Sequence, residues 1–273
     1  MGPVERLHPL KYRSIWLSDI HLGFRGCQAE FVLEFLHATD CRQLYLVGDI
    51  VDLWAMRRGI HWPQSHNNVV RALLDKARDG TQVILIPGNH DELLRTHIGT
   101  DFGAVQVRDE VLHTTADGRR LLVLHGDRFD QVVQHGRWLA LLGAGLYDLL
   151  LGINHRVNAV RRALGRDYWS LAGYLKHRIK KAVSYIGNFE QALAAEARRR
   201  GADGIVCGHI HHAEIRDIGG VTYCNCGDWV ESCTALVEHH DGRLGLLRWT
   251  EGLQVLADEA PTPLPAAAMA RAG

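Results

Sequence analysis

Short apolar runs recur along the chain, and polar residues follow directly after several of them. Five of these runs predict buried strands, at residues 14–18, 44–47, 83–86, 121–124 and 205–207. A short, nearly continuous apolar run is typical of a strand that is covered on both faces. Three later runs predict further strands, at residues 221–225, 235–238 and 244–249.

Helical spacing of apolar residues separates the first predicted strands. Phe31, Phe35 and Leu36 recur at helical intervals within a predicted helix at residues 29–38. A second predicted helix covers residues 67–78 and again places its apolar residues on one face. The alternation of strands and helices predicts a layered α/β fold.

Residues 131–200 interrupt this alternation, because they contain helical patterns and no clear strand. We therefore expect a body made of residues 12–130 and 201–250. A helical cap at residues 131–200 would be inserted between the fourth and fifth strands of that body. The final segment, 258–273, is rich in Ala and Pro and predicts a disordered tail.

Asp, His and Asn side chains follow the five buried strands, and strand ends are where sites are built in α/β sheets. The seven candidates are Asp19, His21, Asp49, Asn89, His125, His209 and His211. Oxygen and imidazole groups without a thiolate favour Mn, Fe or Zn over a structural Cys-rich zinc site. Two metals about 3.5–4 Å apart can clamp a phosphoryl group. The sequence therefore predicts a centre for two divalent metal ions, with Mn preferred and Asp49 in the middle of the set.

These residues belong to five motifs in a fixed order: Asp-x-His, Gly-Asp-x-x-Asp, Gly-Asn-His-Asp, His-Gly-Asp and Gly-His-x-His. With these motifs the chain resembles the calcineurin-like metallophosphoesterases. The resemblance implies a β-sandwich, with two sheets packed face to face and helices outside. It implies that one metal is held by Asp19, His21, Asp49 and His211. The other would be held by Asp49, Asn89, His125 and His209, so that Asp49 bridges the two.

The same resemblance implies roles for residues beside the ligands. His90 would be catalytic, as an acid or as a donor to a negative oxygen, and Asp91 would orient it. Asp49 would share in catalysis through its bridging position. Two further carboxylates keep two interpretations each, since Asp52 and Asp127 could orient a ligand or cap a following helix.

Within that family the chain is similar to the UDP-2,3-diacylglucosamine diphosphatases of lipid A synthesis, over residues 12–250. The similarity rests on the order of the motifs, on Tyr-Leu-Val-Gly-Asp at 45–49 and on the helical insertion. It implies attack of a hydroxide, held between two metals, on the phosphorus next to uridine, which releases UMP and an acylated sugar 1-phosphate. Those enzymes carry Arg, a bidentate phosphate ligand, in their best-studied branch, where this chain has His90. The alternative is a metallophosphoesterase for another phosphodiester, such as a nucleotide, a nucleic acid or a related phospholipid.

A net charge of zero, from 31 Lys and Arg against 31 Asp and Glu, hides two oppositely charged parts. Residues 131–200 hold 12 Lys and Arg against 4 Asp and Glu, with an apolar stretch at 138–151. This combination suits an acylated phosphosugar or an anionic membrane surface. A helical hairpin with a solvated basic surface is a second interpretation. A nucleic-acid groove is a third, which the shortage of interleaved aromatic residues disfavours. The candidate substrate contacts are His90, Asp130, Lys181 and Asn188.

No apolar run has the features of a secretory signal or of a membrane span. The N-terminal residues lack an apolar signal core, and the run at 138–153 is short and contains Asp148. The six cysteines form no Cys-x-x-Cys pair, so we expect reduced thiols. We expect a cytoplasmic protein, with peripheral contact to the inner face of the membrane as a further expectation.

Overall fold

The computed structural model describes the backbone of residues 9–132, 171–250 and 252–259, and the side chains of residues 9–130, 185–250 and 252–259. The strands in this part of the chain are β1 (Leu10–Leu17), β2 (Thr39–Val47), β3 (Gln82–Ile86), β4 (Asp101–Phe102), β5 (Val105–Val107), β6 (Val111–Thr114), β7 (Arg120–Val123), β8 (Gly204–Cys207), β9 (Glu214–Asp217), β10 (Thr222–Asn225), β11 (Thr234–Glu238), β12 (Leu244–Trp249) and β13 (Leu253–Asp258). The α-helices are α1 (Ala29–Ala38), α2 (Leu53–Met56), α3 (Gln64–Arg78) and α4 (Leu171–Arg199), with 3-10 turns at Glu92–His97 and Asp127–Val132.

The described strands form two sheets. The larger has the order β13-β12-β11-β1-β2-β3-β5-β4, and the smaller has the order β6-β7-β8-β10-β9. Parallel pairing joins β1, β2, β3 and β5 at the centre of the larger sheet, and β7, β8 and β10 in the smaller one. Parallel neighbours end at the same edge, so the loops after β1, β2 and β3 lie side by side.

The two faces of the larger sheet bury different cores. Trp16, Tyr45 and Ile84 pack towards the smaller sheet, in a cluster that includes Val123 and Val206. The alternate residues of the same strands are Ile15, Leu17, Leu44, Leu46 and Val83, and they pack in a second cluster with residues of α1 and α3. Successive strand side chains point to opposite faces, which is why both positions of the repeat are apolar here. The α/β prediction of two face-to-face sheets with helices outside is thereby confirmed.

Five described strands are missing from the sequence-based prediction: β4, β5, β6, β9 and β13. The first four have two to four residues each, too few to show a period. β13 is exposed over most of its length, with Val255 60% exposed, and it pairs with β12. Glu259 follows it and forms an ion pair with Arg119 at 2.7 Å. Asp258 and Glu259 are thus part of the ordered body, and residues 260–273 lie outside the described part, so the predicted tail stays a prediction.

Contacts divide the chain into two units, Met1–Asp127 with Ala194–Gly273, and Arg128–Leu193. Within the second unit, Tyr185 donates a hydrogen bond to Asp130 at 2.5 Å and stacks on Phe189, with ring centroids 6.4 Å apart. The apolar stretch at 138–151 and the side chain of Lys181 lie outside the described residues, so the predicted domain limits stay a prediction. No helix in the described ranges has the length and apolar character that crossing a membrane requires.

Candidate metal centre

The loops after five strands carry the predicted ligands. Asp19 and His21 follow β1, Asp49 follows β2, Asn89 and His90 follow β3, His125 follows β7, and His209 and His211 follow β8. Most of these residues form three groups, and within each group the candidate ligand atoms lie within 4.8 Å of one another. The groups are Asp19, His21 and His211; Asp49, His125 and His209; and His21, Asp49 and His90. Asp49 belongs to two of these groups. The structure thus brings six of the seven candidates together in clusters that share Asp49 and His21.

Short distances join the carboxylates to the imidazoles within these groups. His211 Nε2 lies 3.0 Å from Asp19 Oδ1, and His21 Nε2 lies 3.9 Å from the same oxygen. His125 Nε2 lies 3.4 Å from Asp49 Oδ2. Several nitrogen and oxygen donors therefore converge on small volumes, as ligands of a metal ion do.

The backbone at five of these residues is left-handed. Asp19, His21, Asp49, His209 and His211 have φ values between 51° and 71°. This region costs a non-glycine residue about 1–3 kcal/mol and persists only where the surroundings enforce it. Asp and His enter it more readily than most residues. Backbone hydrogen bonds from Asp19 N to Gly48 O (3.0 Å) and from His21 N to Asp49 O (2.9 Å) help to hold the loops in this conformation.

Glycines leave room for the donor groups. A Cβ at Gly88 would lie 2.3 Å from Asp49 Oδ1 and 2.7 Å from His125 Nε2. A Cβ at Gly208 would lie 2.4 Å from Asp19 Oδ2. Any side chain at these two positions would displace a candidate ligand, so each glycine is needed for close approach rather than for a turn.

Hydrogen bonds orient the imidazoles from behind. His125 Nδ1 donates to Val47 O at 2.9 Å, which leaves Nε2 towards Asp49. His21 Nδ1 lies 3.1 Å from Asp52 Oδ2. Metal-binding histidines commonly use the second ring nitrogen in this way, which fixes the tautomer and the ring direction.

Asp52 combines both roles that the sequence left open for it. It accepts a hydrogen bond from Ala55 N at 2.7 Å and so caps α2. Its oxygens also lie 3.1 Å from His21 Nδ1 and 2.9 Å from His90 Nδ1. It therefore positions one candidate ligand and the candidate acid together.

The expectation that Asp91 orients His90 is wrong. Asp91 is fully buried and accepts backbone hydrogen bonds from Gly88 N (2.6 Å) and Ile50 N (2.8 Å). Although Asp91 is next to His90 in the chain, its carboxylate bonds to the backbone of two loops. Asp52, from the preceding strand end, contacts the ring instead. Burial, followed by the charge of Asp49, raises the pKa of Asp91.

Arg95 is a residue of this region that the sequence patterns do not indicate. Its Nη2 donates to both oxygens of Asp127 at 2.8 Å and to Pro87 O at 3.3 Å. Asp127 follows His125-Gly126, so Arg95 joins the loop after β3 to the loop after β7. Asp127 is thus held by Arg95, and the two roles considered for it stay predictions.

The carboxylates and imidazoles shift one another's pKa. Burial alone would raise the pKa of Asp19, but His211 beside it lowers that pKa to about 2. Burial alone would lower the pKa of His211, but the charge of Asp19 raises it to about 9. The same opposition lowers the pKa of Asp49 and raises the pKa of its neighbour His125 to about 10. The carboxylates are therefore ionised near neutral pH and attract cations.

The donor set fits divalent metal ions. Among the described residues, Asn89 Oδ1, His125 Nε2 and His21 Nε2 are buried acceptor atoms without a hydrogen-bond partner, which a bound cation would satisfy. The set contains oxygen and imidazole nitrogen only, which suits Mn, Fe or Zn. The cysteines are free thiols, and burial raises the pKa of Cys226 well above its usual value, which disfavours the thiolate needed to bind a metal.

The remaining predicted substrate contacts, Asp130, Lys181 and Asn188, belong to the second unit. Asp130 accepts the hydrogen bond from Tyr185, and Asn188 is an exposed residue of α4. The side chain of Lys181 is outside the described residues. His90 contacts metal-site residues of its own unit.

A comparison with family models now assigns the class of the protein. The calcineurin-like phosphoesterase model matches residues 12–213. The chain belongs to this family and is a phosphoester hydrolase, and the family, fold class and enzyme class predicted from the sequence are confirmed. Divalent metals are what this family and the His and Asp clusters imply.

The chain is also similar to individual proteins of known name and to solved structures. The chain is 32% identical to UDP-2,3-diacylglucosamine hydrolase of Ralstonia nicotianae over 249 residues, which are 87% of this chain and 89% of that protein. It is 24% identical to the protein of the same name from Haemophilus influenzae, over 86% of this chain and 98% of that one. Among solved structures, the E. coli phosphoesterase YfcE matches 91% of this chain and 99% of its own, at 16% identity and a TM-score of 0.47.

Proposed function

We propose that the protein hydrolyses the pyrophosphate of UDP-2,3-diacylglucosamine and releases UMP and the acylated sugar 1-phosphate. The similarity to hydrolases of that name, extending over 86–87% of this chain, carries the proposal. The convergence of carboxylates and imidazoles at the strand ends supports the reaction type, because a dinuclear site is suited to phosphoryl transfer.

The proposed ligands of one metal are Asp19, His21, Asp49 and His211, and those of the other are Asp49, Asn89, His125 and His209. Two bound divalent ions would supply Lewis acidity and activate water for attack near neutral pH. Mn is the metal we propose, with Fe and Zn compatible with the same donors. Asp49 is proposed as the catalytic bridge because it is the carboxylate that two clusters share.

His90 is proposed as the acid that assists departure of the leaving group. Its Nδ1 is held by Asp52 at 2.9 Å, and its Nε2 lies 4.0 Å from Asp49 Oδ2, on the side of the candidate ligands. The side chain is 19% exposed, so part of the ring is open to a substrate. A proton moving from Nε2 to the leaving oxygen would neutralise charge as the P–O bond breaks.

Asp130, Lys181 and Asn188 are proposed to contact the substrate head group. The basic and apolar composition of residues 131–200 supports recognition of an acylated anion. The same composition supports peripheral contact with an anionic membrane, which we propose together with a cytoplasmic location.

Another phosphodiester is the second candidate substrate. The observation that favours it is His90 itself, because a single imidazole cannot form the bidentate contact that Arg makes with a phosphate. A nucleotide diester, a nucleic acid or a related phospholipid would fit a hydrolase that lacks this contact.

A hydrolysis panel with Mn²⁺ distinguishes the candidates. The purified protein is compared on UDP-2,3-diacylglucosamine, UDP-glucose, a cyclic nucleotide and a single-stranded oligonucleotide, with Asp49→Ala as the inactive control. The proposal predicts the highest kcat/KM on the acylated nucleotide sugar, with UMP as product. Poor turnover of that compound with rapid turnover of another member would refute the substrate.

A further inference from the structure

The ring of His90 has two aromatic neighbours, Trp54 and His21. The ring of Trp54, on α2, lies 4.4 Å from the ring of His90 between centroids, at an interplanar angle of 33°. His21 contacts the same imidazole edge-on, at 4.7 Å and 88°. Trp54 is 36% exposed, so its indole is in part open to solvent while it contacts His90.

The backbone of α2 is attached to the loop that carries His90. Leu53 N donates to His90 O at 3.2 Å, and Asp52, the N-cap of the helix, holds His90 Nδ1. On the far side, a Cβ at Gly23 would lie 2.7 Å from Met56 Sδ, so the helix packs closely on the loop after β1. The indole is therefore carried by a segment that is fixed at both ends.

One hydrogen bond does not determine the direction of an imidazole. The torsion that turns the ring about Cβ–Cγ is broad, and the Asp52 oxygen that holds Nδ1 also accepts from Ala55 N. A combined change of both side-chain torsions would swing Nε2 while Nδ1 stays near Asp52. The indole lies against the imidazole, with ring centroids 4.4 Å apart at 33°, and so opposes an out-of-plane swing towards it.

We propose that Trp54 is a positioning residue that holds the imidazole of His90 in the direction from which Nε2 protonates the leaving oxygen. The inference rests on the acid role proposed for His90. Trp54 acts through its contact with that ring and has no need to touch the substrate. An aromatic side chain of similar flatness would preserve the contact, whereas a small side chain would not.

The test compares Trp54→Ala and Trp54→Phe on two phosphodiesters that differ only in the leaving group, methyl 4-nitrophenyl phosphate and methyl phenyl phosphate. Phenolate is the more basic leaving group and depends more on a proton donor. Since a general acid contributes 10²–10⁴-fold, partial loss of its direction should lower kcat of Trp54→Ala on the phenyl ester by about tenfold. On the nitrophenyl ester we expect kcat to change by less than about threefold, and Trp54→Phe should stay near wild type on both.

Leu74→Ala is the matched control, because it removes an exposed apolar side chain from a different helix, α3. It should leave kcat on both esters unchanged. Metal content is measured in each variant, and Trp54→Leu replaces Trp54→Ala if the latter does not fold. Equal losses on the two esters, an unchanged phenyl ester, or a Phe variant as slow as the Ala variant would overturn the inference.

Crystal structures of Trp54→Ala and Trp54→Phe provide a second measurement that needs no turnover. We expect His90 to adopt a second ring orientation in Trp54→Ala and to keep the wild-type one in Trp54→Phe. An unmoved His90 ring in Trp54→Ala would also overturn the inference. The aryl esters are independent of the natural substrate, so failure to hydrolyse UDP-2,3-diacylglucosamine would refute the substrate proposal and leave the result on Trp54 standing.

Discussion

Gly88→Ala is the smallest change that should dismantle the centre. The new Cβ would lie 2.3 Å from Asp49 Oδ1 and 2.7 Å from both Asp49 N and His125 Nε2, inside the 3.0 Å that real Cβ atoms keep. The backbone of Gly88 is not in the left-handed region, so Ala meets a steric obstacle and no conformational one. Asp49 would have to move by about 0.7 Å, in a close-packed interior that resists such a shift.

The expected effects follow from this displacement. Misplacement by about 1 Å of a group that positions reactants costs about 10²-fold in rate, so we expect kcat to fall by about that factor. Overpacking costs about 1–3 kcal/mol of unfolding free energy, which lowers Tm by about 2–4 °C for each kcal/mol in a chain of this size. Asp49 Oδ1 also accepts from His90 N at 2.7 Å, so the shift disturbs the acid as well.

The assay combines hydrolysis of bis(4-nitrophenyl) phosphate, Mn content of the purified protein and calorimetry without added metal. Gly187→Ala is the matched control, because it adds the same methyl group in open space on α4. It should retain activity and gain about 0.5–1 kcal/mol as a helix residue. A Gly88→Ala variant with wild-type kcat and wild-type Mn content would refute the argument.

Three other changes probe separate contacts. Glu238 is fully buried, and burial alone would raise its pKa. Hydrogen bonds from His113 and Ser14 outweigh burial, so the pKa of Glu238 in the folded protein is lowered. The carboxylate therefore stabilises the fold above its unfolded pKa, and this contribution is lost as pH falls through the folded pKa. Chemical denaturation should therefore show that Glu238→Gln costs about 1–3 kcal/mol at pH 7 and less below pH 4, whereas an equal cost at both would contradict the linkage. Arg95→Gln should loosen the connection between the two ligand loops and weaken Mn binding by about 10–100-fold in a calorimetric titration, with unchanged affinity as the contrary result. His90→Ala should lower kcat by about 10²-fold with Mn content near normal, and loss of Mn would make His90 a ligand instead.

The strand-end pattern explains why the residues of the centre could be predicted before the fold was known. Parallel strands place their carboxyl ends at one edge, so polar residues that directly follow β1, β2 and β3 must come close together. That argument needs only the apolar runs and the residues after them. It predicts that Asp19, Asp49 and Asn89 lie near one another without knowledge of the sheet order.

The partners of these residues could not be predicted in the same way. Asp91 is adjacent to His90 in the chain but bonds to the backbone of Gly88 and Ile50, while Asp52 reaches His90 across 38 positions. Asp91 and Asp52 carry the same functional group, so residue type does not show which of them contacts His90. The paths of the two loops decide it. Arg95 and Trp54 gave no signal, because their contacts with Asp127 and His90 follow from tertiary packing alone.

By itself the sequence determined the buried strands, the chemistry at their ends and the family, since period, residue type and motif order are local properties of the chain. Tertiary structure alone decided the left-handed backbone at Asp19, His21 and Asp49 and the groups that hold the imidazoles, Asp52 for His21 and His90 and the Val47 carbonyl for His125. A left-handed residue other than Gly is intrinsically unfavourable, so it exists only where contacts between distant segments offset its cost. Those contacts form when the sheets assemble, and no local pattern encodes them.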